Sequence, residues 1–275
     1  VVKLLLNNLD RNIELNAKDN DGVTGFLWAC YNGHKDVVNL ILDNSDRNIE
    51  LNARDNQSMT AFMWACLQGH KDVVQLFLNN SGIELNARSN AGKSAFIWAC
   101  KKGHKDVVKL LLNNLDRNIE LNAKDNDGVT GFLWACYNGH KDVVKLLLDD
   151  LESSIDMNTR DPNGWTALMS ACLNGHKDVV KLLLDHSERI DLNARKNDGG
   201  TAFMWACRNG HKDVVKLLLE HLDSNIELNT RDPSGLTAFM LACNFGQKDV
   251  VQVLLDHSSI DLNARSNNGM TALMV

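Results

Sequence analysis

Cysteine, histidine, lysine and aspartate recur along this chain in fixed order, and each is a residue type that can do chemistry. Seven cysteines stand in Ala-Cys pairs: Cys30, Cys66, Cys100, Cys136, Cys172, Cys207 and Cys243. Six histidines stand in Gly-His-Lys-Asp segments, at His34, His70, His104, His140, His176 and His211, and Gln247 takes the seventh place. Thiols and imidazoles together suggest a metal centre, a disulfide framework or a nucleophile–base pair. The spacing argues against all three. No Cys-x-x-Cys pair offers a zinc half-site. The histidines come one per repeat, too far apart to converge on one ion. Neither a glycine-rich phosphate loop after a strand nor a Gly-x-Ser-x-Gly elbow is present. A catalytic site needs one place that differs from the rest, whereas these residues return with a period. They read as architecture: a small buried cysteine, a structural histidine and a solvated Lys-Asp helix start. His186, His221 and His257 stand apart, in connectors after helix ends where positive charge is favourable.

The period comes from the elements that carry these residues. Measured between the asparagines of Leu-Asn-Ala and its variants, it is 36, 34, 36, 36, 35, 36 and 34 residues, from Asn16 to Asn263. Seven full repeats result, at 16–51, 52–85, 86–121, 122–157, 158–192, 193–228 and 229–262, with partial repeats at 1–15 and 263–275. A longer duplication lies on top: residues 1–40 match 107–146 at 39 of 40 positions, Asn39 against Lys145 being the difference.

Within one repeat, Asp19-Asn20-Asp21-Gly22 reads as a tight turn with glycine where φ is positive. Pro162 and Pro233 occupy the second position of that turn. Thr24 caps a short helix over residues 25–32, and Gly33 ends it in the left-handed conformation. A second helix follows through Asp36-Val37-Val38-Asn39-Leu40-Ile41-Leu42, with Asp36 in its first turn. The polar connector 44–48 leads to the extended Ile49-Glu50-Leu51. Such a repeat cannot bury its own apolar face, and stacking supplies the core.

The segment Asp161-Pro162-Asn163-Gly164-Trp165-Thr166-Ala167-Leu168-Met169-Ser170-Ala171-Cys172-Leu173-Asn174-Gly175-His176 resembles the ankyrin repeat, and the resemblance covers the whole chain. It implies an all-α repeat solenoid. Helix-turn-helix repeats of 34–36 residues stack as one domain, joined by β-hairpin-like fingers and curved around a concave groove. Four departures stand out. Alanine or glycine replaces the proline after the capping Thr, and Leu, Met or Ile replaces the histidine two places on, which predicts apolar packing there. Ser58 stands where the turn glycine is expected, so that turn should be the most strained, and several connectors carry extra residues, as at 45–48. The resemblance implies adjacent repeats stacked about 10 Å apart, which holds equivalent cysteines beyond the ~7 Å reach of a disulfide. Free thiols in every repeat then point to a reducing, cytoplasmic location. In the family the Gly-His histidine caps the loop between the two helices.

Function should be sought where the repeats differ. With Phe26 at 0°, Ala29 and Cys30 fall within about 60° of it, while Trp28 falls at about 200° and Tyr31 at about 140°. These two therefore lean toward the groove. The tryptophan returns as Trp64, Trp98, Trp134 and Trp205, with Ser170 and Leu241 as exceptions. Either the row contacts a partner or each indole fills space between repeats. The two positions before each helix-ending glycine vary most, and Leu67, Lys101, Lys102, Tyr137, Leu173, Arg208 and Phe245 stand there with Tyr31. The position after the turn glycine varies too. There Trp165 is the outlier, expected on an exposed finger as the leading hot spot. The third repeat is locally basic through Arg88, Lys93, Lys101, Lys102 and Lys105, and should dock an acidic segment.

The resemblance thus implies a non-catalytic scaffold that binds another protein through groove and finger tips, without cofactor or metal. Two readings compete: a structural spacer, and the cytosolic ankyrin domain of a larger channel, enzyme or adaptor. It also implies asparagine hydroxylation at Asn86 and Asn263, each with a leucine eight residues upstream (Leu78 and Leu255). A net charge of −6 argues against nucleic acid as partner. No apolar run approaches the ~18 residues of a membrane span. The opening Val1-Val2-Lys3-Leu4-Leu5-Leu6 has no signal-peptide pattern. The chain is expected to be a monomer and part of something longer. Both ends fall inside a repeat without a polar cap, so fraying or end-to-end association is expected there.

Overall fold

The computed structural model describes residues 3, 14–44, 49–114, 116, 118–150, 155–221 and 225–275. The second helix expected at Val1 and the connector at 45–48 lie outside them. The chain divides into two compact units, Val1–Asn126 and Asp127–Val275, and the division falls in the turn that opens the fourth repeat.

In the N-terminal unit the described helices are α1 (Gly25–Tyr31), α2 (Lys35–Leu42), α3 (Ala61–Gln68), α4 (Lys71–Leu78), α5 (Ala95–Lys102) and α6 (Lys105–Leu112). The first helices α1, α3 and α5 pack side by side, as do the second helices α2, α4 and α6, and each first helix packs on its own second helix. The C-terminal unit repeats the plan. Its first helices are α7 (Gly131–Tyr137), α9 (Ala167–Leu173), α11 (Ala202–Arg208) and α13 (Ala238–Asn244). Its second helices are α8 (Lys141–Asp149), α10 (Lys177–Leu184), α12 (Lys212–Glu220) and α14 (Lys248–Leu255). Each unit is a two-layer helical solenoid with its core between the layers.

The local sequence accounts for these elements. Every described first helix starts at a Ser or Thr in extended conformation whose hydroxyl accepts the third helical amide, as Thr24 does from Leu27 at 3.3 Å. This cap supplies the start that the missing proline would otherwise set. The residues at the replaced-histidine position, Leu27, Met63, Ile97, Leu133, Met169, Met204 and Met240, are buried, so apolar packing does replace the polar link. Phe77 of α4 receives the edges of Phe26 and Phe62 at centroid distances of 5.9 and 5.7 Å. Such T-shaped contacts add to the burial term.

The hairpin-like form of the fingers is not confirmed: no strand is found among the described residues, only an isolated bridge between Lys18 and Thr24. The aspartate side chain closes the turn instead. Asp55 Oδ1 accepts the amides of Gln57 and Met59 at 2.8 Å each, and one backbone bond, Asp55 N–H to Met59 O at 3.2 Å, completes the loop. Ser58 adopts φ 56°, the left-handed conformation expected to strain this turn, and its hydroxyl donates to Asn90 Oδ1 at 2.6 Å.

Adjacent repeats are also joined by polar rungs. His70 Nε2 meets Tyr31 O at 2.8 Å, and His104 Nε2 meets Leu67 O at 2.8 Å. In the C-terminal unit His176 and His211 meet Tyr137 O and Leu173 O at 2.9 and 2.8 Å. At the seventh place Gln247 Nε2 donates to Arg208 O at 2.8 Å. Glutamine can only donate from that atom, so the histidines carry their proton on Nε2. The histidine therefore ties its repeat to the preceding one rather than capping its own loop. Its ring lies against the preceding helix-ending glycine: Gly33 has φ 70°, and a Cβ there would stand 2.5 Å from His70 Nδ1. Lower rungs come from the Leu-Asn-Ala asparagines. Asn52 donates to Gly82 O at 2.8 Å and accepts Glu84 N–H at 2.9 Å, and Asn158, Asn193 and Asn229 do the same one repeat on. His70→Gln should leave the urea midpoint nearly unchanged, whereas His70→Ala should cost about 1 kcal/mol by freeing Tyr31 O. Equal losses in both variants would show that the ring's packing, not its N–H, matters.

Candidate functional site

The periodic residues that look like chemistry are placed as structure. Cys30, Cys66, Cys100, Cys136, Cys172 and Cys207 are buried between helices, and Cys243 is half-buried. Burial pushes the thiols of Cys30, Cys66, Cys136 and Cys172 far up, away from the thiolate that nucleophilic or ligand chemistry requires. Among the described residues no group of three His, Cys, Asp or Glu side chains could hold a metal ion. His186 and His221 turn Nδ1 to the carbonyls of Leu182 and Leu217, both at 2.9 Å, at the ends of α10 and α12. The Lys-Asp steps are exposed and form a loose ladder, with Lys141 to Asp178 at 3.2 Å and Lys35 to Asp72 at 3.9 Å. Such pairs contribute little. Alkylation of the folded protein at neutral pH should label Cys243 first. The six others should react only as the chain unfolds; early labelling of Cys100 or Cys136 would contradict their burial.

The first helices carry the variable positions on the face opposite the core. In the N-terminal unit Trp28 is 46% exposed and Tyr31 36%. Tyr31 stands between Trp28 and Trp64, with ring centroids at 5.5 and 5.1 Å. Trp64 and Leu67 are half-buried. Lys101 lies over the Trp98 ring at 5.8 Å, and Lys102 is exposed. In the C-terminal unit Tyr137 is 44% exposed against Trp134, and Phe245 is 46% exposed. Arg208 is sandwiched between Trp205 and Phe245, at 5.0 and 4.4 Å from their centroids. Leu173 is half-buried. Of the asparagines singled out, Asn86 spends its amide on Asn118 O (2.7 Å) and Glu120 N–H (3.0 Å), while Asn263 is exposed.

Two placements differ from expectation. Trp165 is not on an exposed finger: it is half-buried, its ring 4.8 Å from that of Trp205, with Lys196 5.2 Å above it. A large aromatic at that position reaches the next repeat's helix and packs there. Lys93 is not an exposed basic contact either. It is 4% exposed and ion-paired to Asp125 at 2.8 Å, with Trp98 alongside at 5.7 Å. Arg88 is engaged as well, on Glu120 at 3.1 Å and on the carbonyl of Lys124 at 2.6 Å. The basic character of the third repeat at the surface thus rests on Lys101, Lys102 and Lys105.

A pairing rule emerges that the sequence carried in a nine-residue spacing. The second carboxylate oxygen of the turn aspartate accepts the indole N–H of its own repeat: Trp28 to Asp19 at 3.0 Å, Trp64 to Asp55 at 2.9 Å. The Val23 amide and then the Trp28 indole hold the Asp19 carboxyl below the ordinary carboxylate range. This stabilisation is present above the unfolded-state value and is lost as pH falls through the lowered one. Where serine or lysine replaces the aspartate, at Ser89 and Lys196, the buried Nε1 of Trp98 or Trp205 has no acceptor. Where the tryptophan is replaced, at Ser170 and Leu241, the aspartate loses its donor. Among the described residues the side chains of Asp161 and Asp232 then accept only the turn amides, on Oδ1.

Two cavities open at those Trp-less repeats, both in the C-terminal unit. One, of about 410 Å³, is lined by Val129, Leu133, Trp134, Tyr137, Asp161, Trp165, Ser170 and Leu173. The other, of about 360 Å³, lies by Asp232 and Leu241 and is flanked by Trp205 and Arg208.

A family model described as Ankyrin repeats (3 copies) matches residues 1–89, 84–161, 151–232 and 222–275. The chain belongs to the ankyrin-repeat family, whose repeats serve generally as non-catalytic protein–protein interaction modules. No curated protein matches it. No helix among the described residues is long and apolar enough to cross a membrane.

Ser89→Asp should give Trp98 Nε1 its missing acceptor. A buried unsatisfied donor costs about 1–3 kcal/mol, so the urea midpoint should rise by the equivalent of about 1 kcal/mol with an unchanged slope. A lower midpoint would sink the pairing rule.

Proposed function

We propose that the chain is a protein-interaction scaffold that docks a segment of another protein along the groove face of its first helices. The supporting observation is the exposure of Trp28, Tyr31, Tyr137 and Phe245, 36–46% each, all within the five residues before a helix-ending glycine. Leaving large apolar side chains in water is unfavourable, and exposed apolar patches mark interaction surfaces. A spacer would have no use for them. In the N-terminal unit Leu67 adds to the apolar face over the half-buried Trp64 and Trp98, and in the C-terminal unit Leu173 does so over Trp134, Trp165 and Trp205. Lys101, Lys102 and Arg208 supply positive charge at the margins of these faces, which suits an acidic stretch of the partner. Reduced, buried cysteines fit a reducing, cytoplasmic setting.

Crosslinking in cells followed by quantitative recovery of bound protein tests the reading with Tyr137→Ser and Phe245→Ser. Both side chains are exposed, so thermal unfolding should be unchanged, and recovery should fall about tenfold for an aromatic hot spot. Equal recovery with both variants would favour the spacer.

A further inference from the structure

The chain contains an internal control for its larger cavity. Residues 1–40 and 107–146 are near-identical, and the shared register continues into the next repeat. Trp28, Tyr31 and Asp55 thus correspond to Trp134, Tyr137 and Asp161, but Trp64 corresponds to Ser170. In the first copy the Trp64 indole sits 5.1 Å from Tyr31 and donates Nε1–H to Asp55 Oδ2 at 2.9 Å. In the second, Ser170 turns its hydroxyl back onto Thr166 O at 2.9 Å, and among the described residues no donor is found on Asp161 Oδ2. The cavity of about 410 Å³ lies where the indole would be, walled by Trp134, Tyr137, Trp165 and Leu173 with Asp161 and Ser170 within it.

The geometry points to a receptor slot for an indole supplied in trans: a tryptophan side chain of a partner, stacked against Tyr137 and donating its N–H to Asp161 Oδ2. The template is the chain's own repeat, which shows what these walls hold when the tryptophan is present, Trp165 standing where the first copy has Met59. An apolar occupant of this size leaves Asp161 Oδ2 unpaired, and a flat N–H donor satisfies it. The second cavity is the weaker receptor, because Leu241 fills part of it and Arg208 stands in its lining. The assignment rests on the proposed docking function only for the origin of the indole, so a small probe can test the slot without any partner.

The probe is Nα-acetyl-tryptophanamide, titrated into the full chain with ¹⁵N-labelled tryptophan, read at the indole N–H signals of Trp134 and Trp165. Saturable shifts at both with one common Kd are expected. The N1-methyl analogue, which lacks the N–H, should bind about tenfold more weakly. Asp161→Asn should weaken the unmethylated probe similarly, since it keeps the turn acceptor Oδ1 and puts an NH₂ where Oδ2 was. Ser170→Trp should fill the slot from within, abolish the shifts and raise the thermal midpoint. Absent shifts, binding that survives Ser170→Trp, or indifference to both N-methylation and Asp161→Asn would overturn the assignment. Tighter binding of Nα-acetyl-lysinamide would also overturn it, in favour of a cation site. Partner recovery lost on Tyr137→Ser with no probe binding would leave the docking function intact and reject the slot. Probe binding without any dependence of recovery on Tyr137 would do the reverse.

Discussion

Within each unit a first helix ends in a backbone carbonyl that has no partner inside the helix, and the following repeat satisfies it. His70 Nε2 on Tyr31 O and Gln247 Nε2 on Arg208 O are the same contact made by different side chains. The contact requires the two repeats to approach so closely that the helix-ending residue can carry no Cβ, as the 2.5 Å separation at Gly33 shows. Glycine there meets two demands at once, a positive φ and a flat surface for the neighbour's ring. Stacking in turn aligns the Asn52 clamp at the connectors and the Asp–Trp pairs at the turns. The periodic residues thus serve cohesion between neighbours, as expected of an array whose stability sums repeats and interfaces.

That cohesion explains which parts of the structure were legible in the residues. Caps, turns and helices follow from Thr24, Asp19, Gly33 and the Val-Leu spacing, because these are local and recur seven times. The histidine bond is not local, since it joins residues 37 to 39 apart, and its carbonyl acceptor fixes the proton on Nε2. Trp165 was misplaced for a related reason. A residue beside a turn glycine is exposed within its own repeat, yet a neighbouring Trp205 covers it once the repeats stack. Lys93 was misplaced because a basic cluster counted along the chain says nothing of Asp125, which comes from the following repeat and neutralises it. In both cases the missing information was the adjacent repeat's side chain.

The aspartate–tryptophan pair shows how a repeated fold can acquire a specific site without a new element. An aspartate closes the turn with one oxygen and holds an indole with the other. If the aspartate is lost, a buried N–H goes unmet, a cost that stays inside the structure as at Trp98. If the tryptophan is lost, a cavity and an unmet acceptor face outward, as at Asp161, where solvent or a ligand can reach them. The first change affects stability alone, while the second creates the means of recognition. The cavities beside Asp161 and Asp232 both coincide with the second kind of change. The proposed slot is thus a subtraction from a repeated plan, at a place where most wall residues already existed for another purpose.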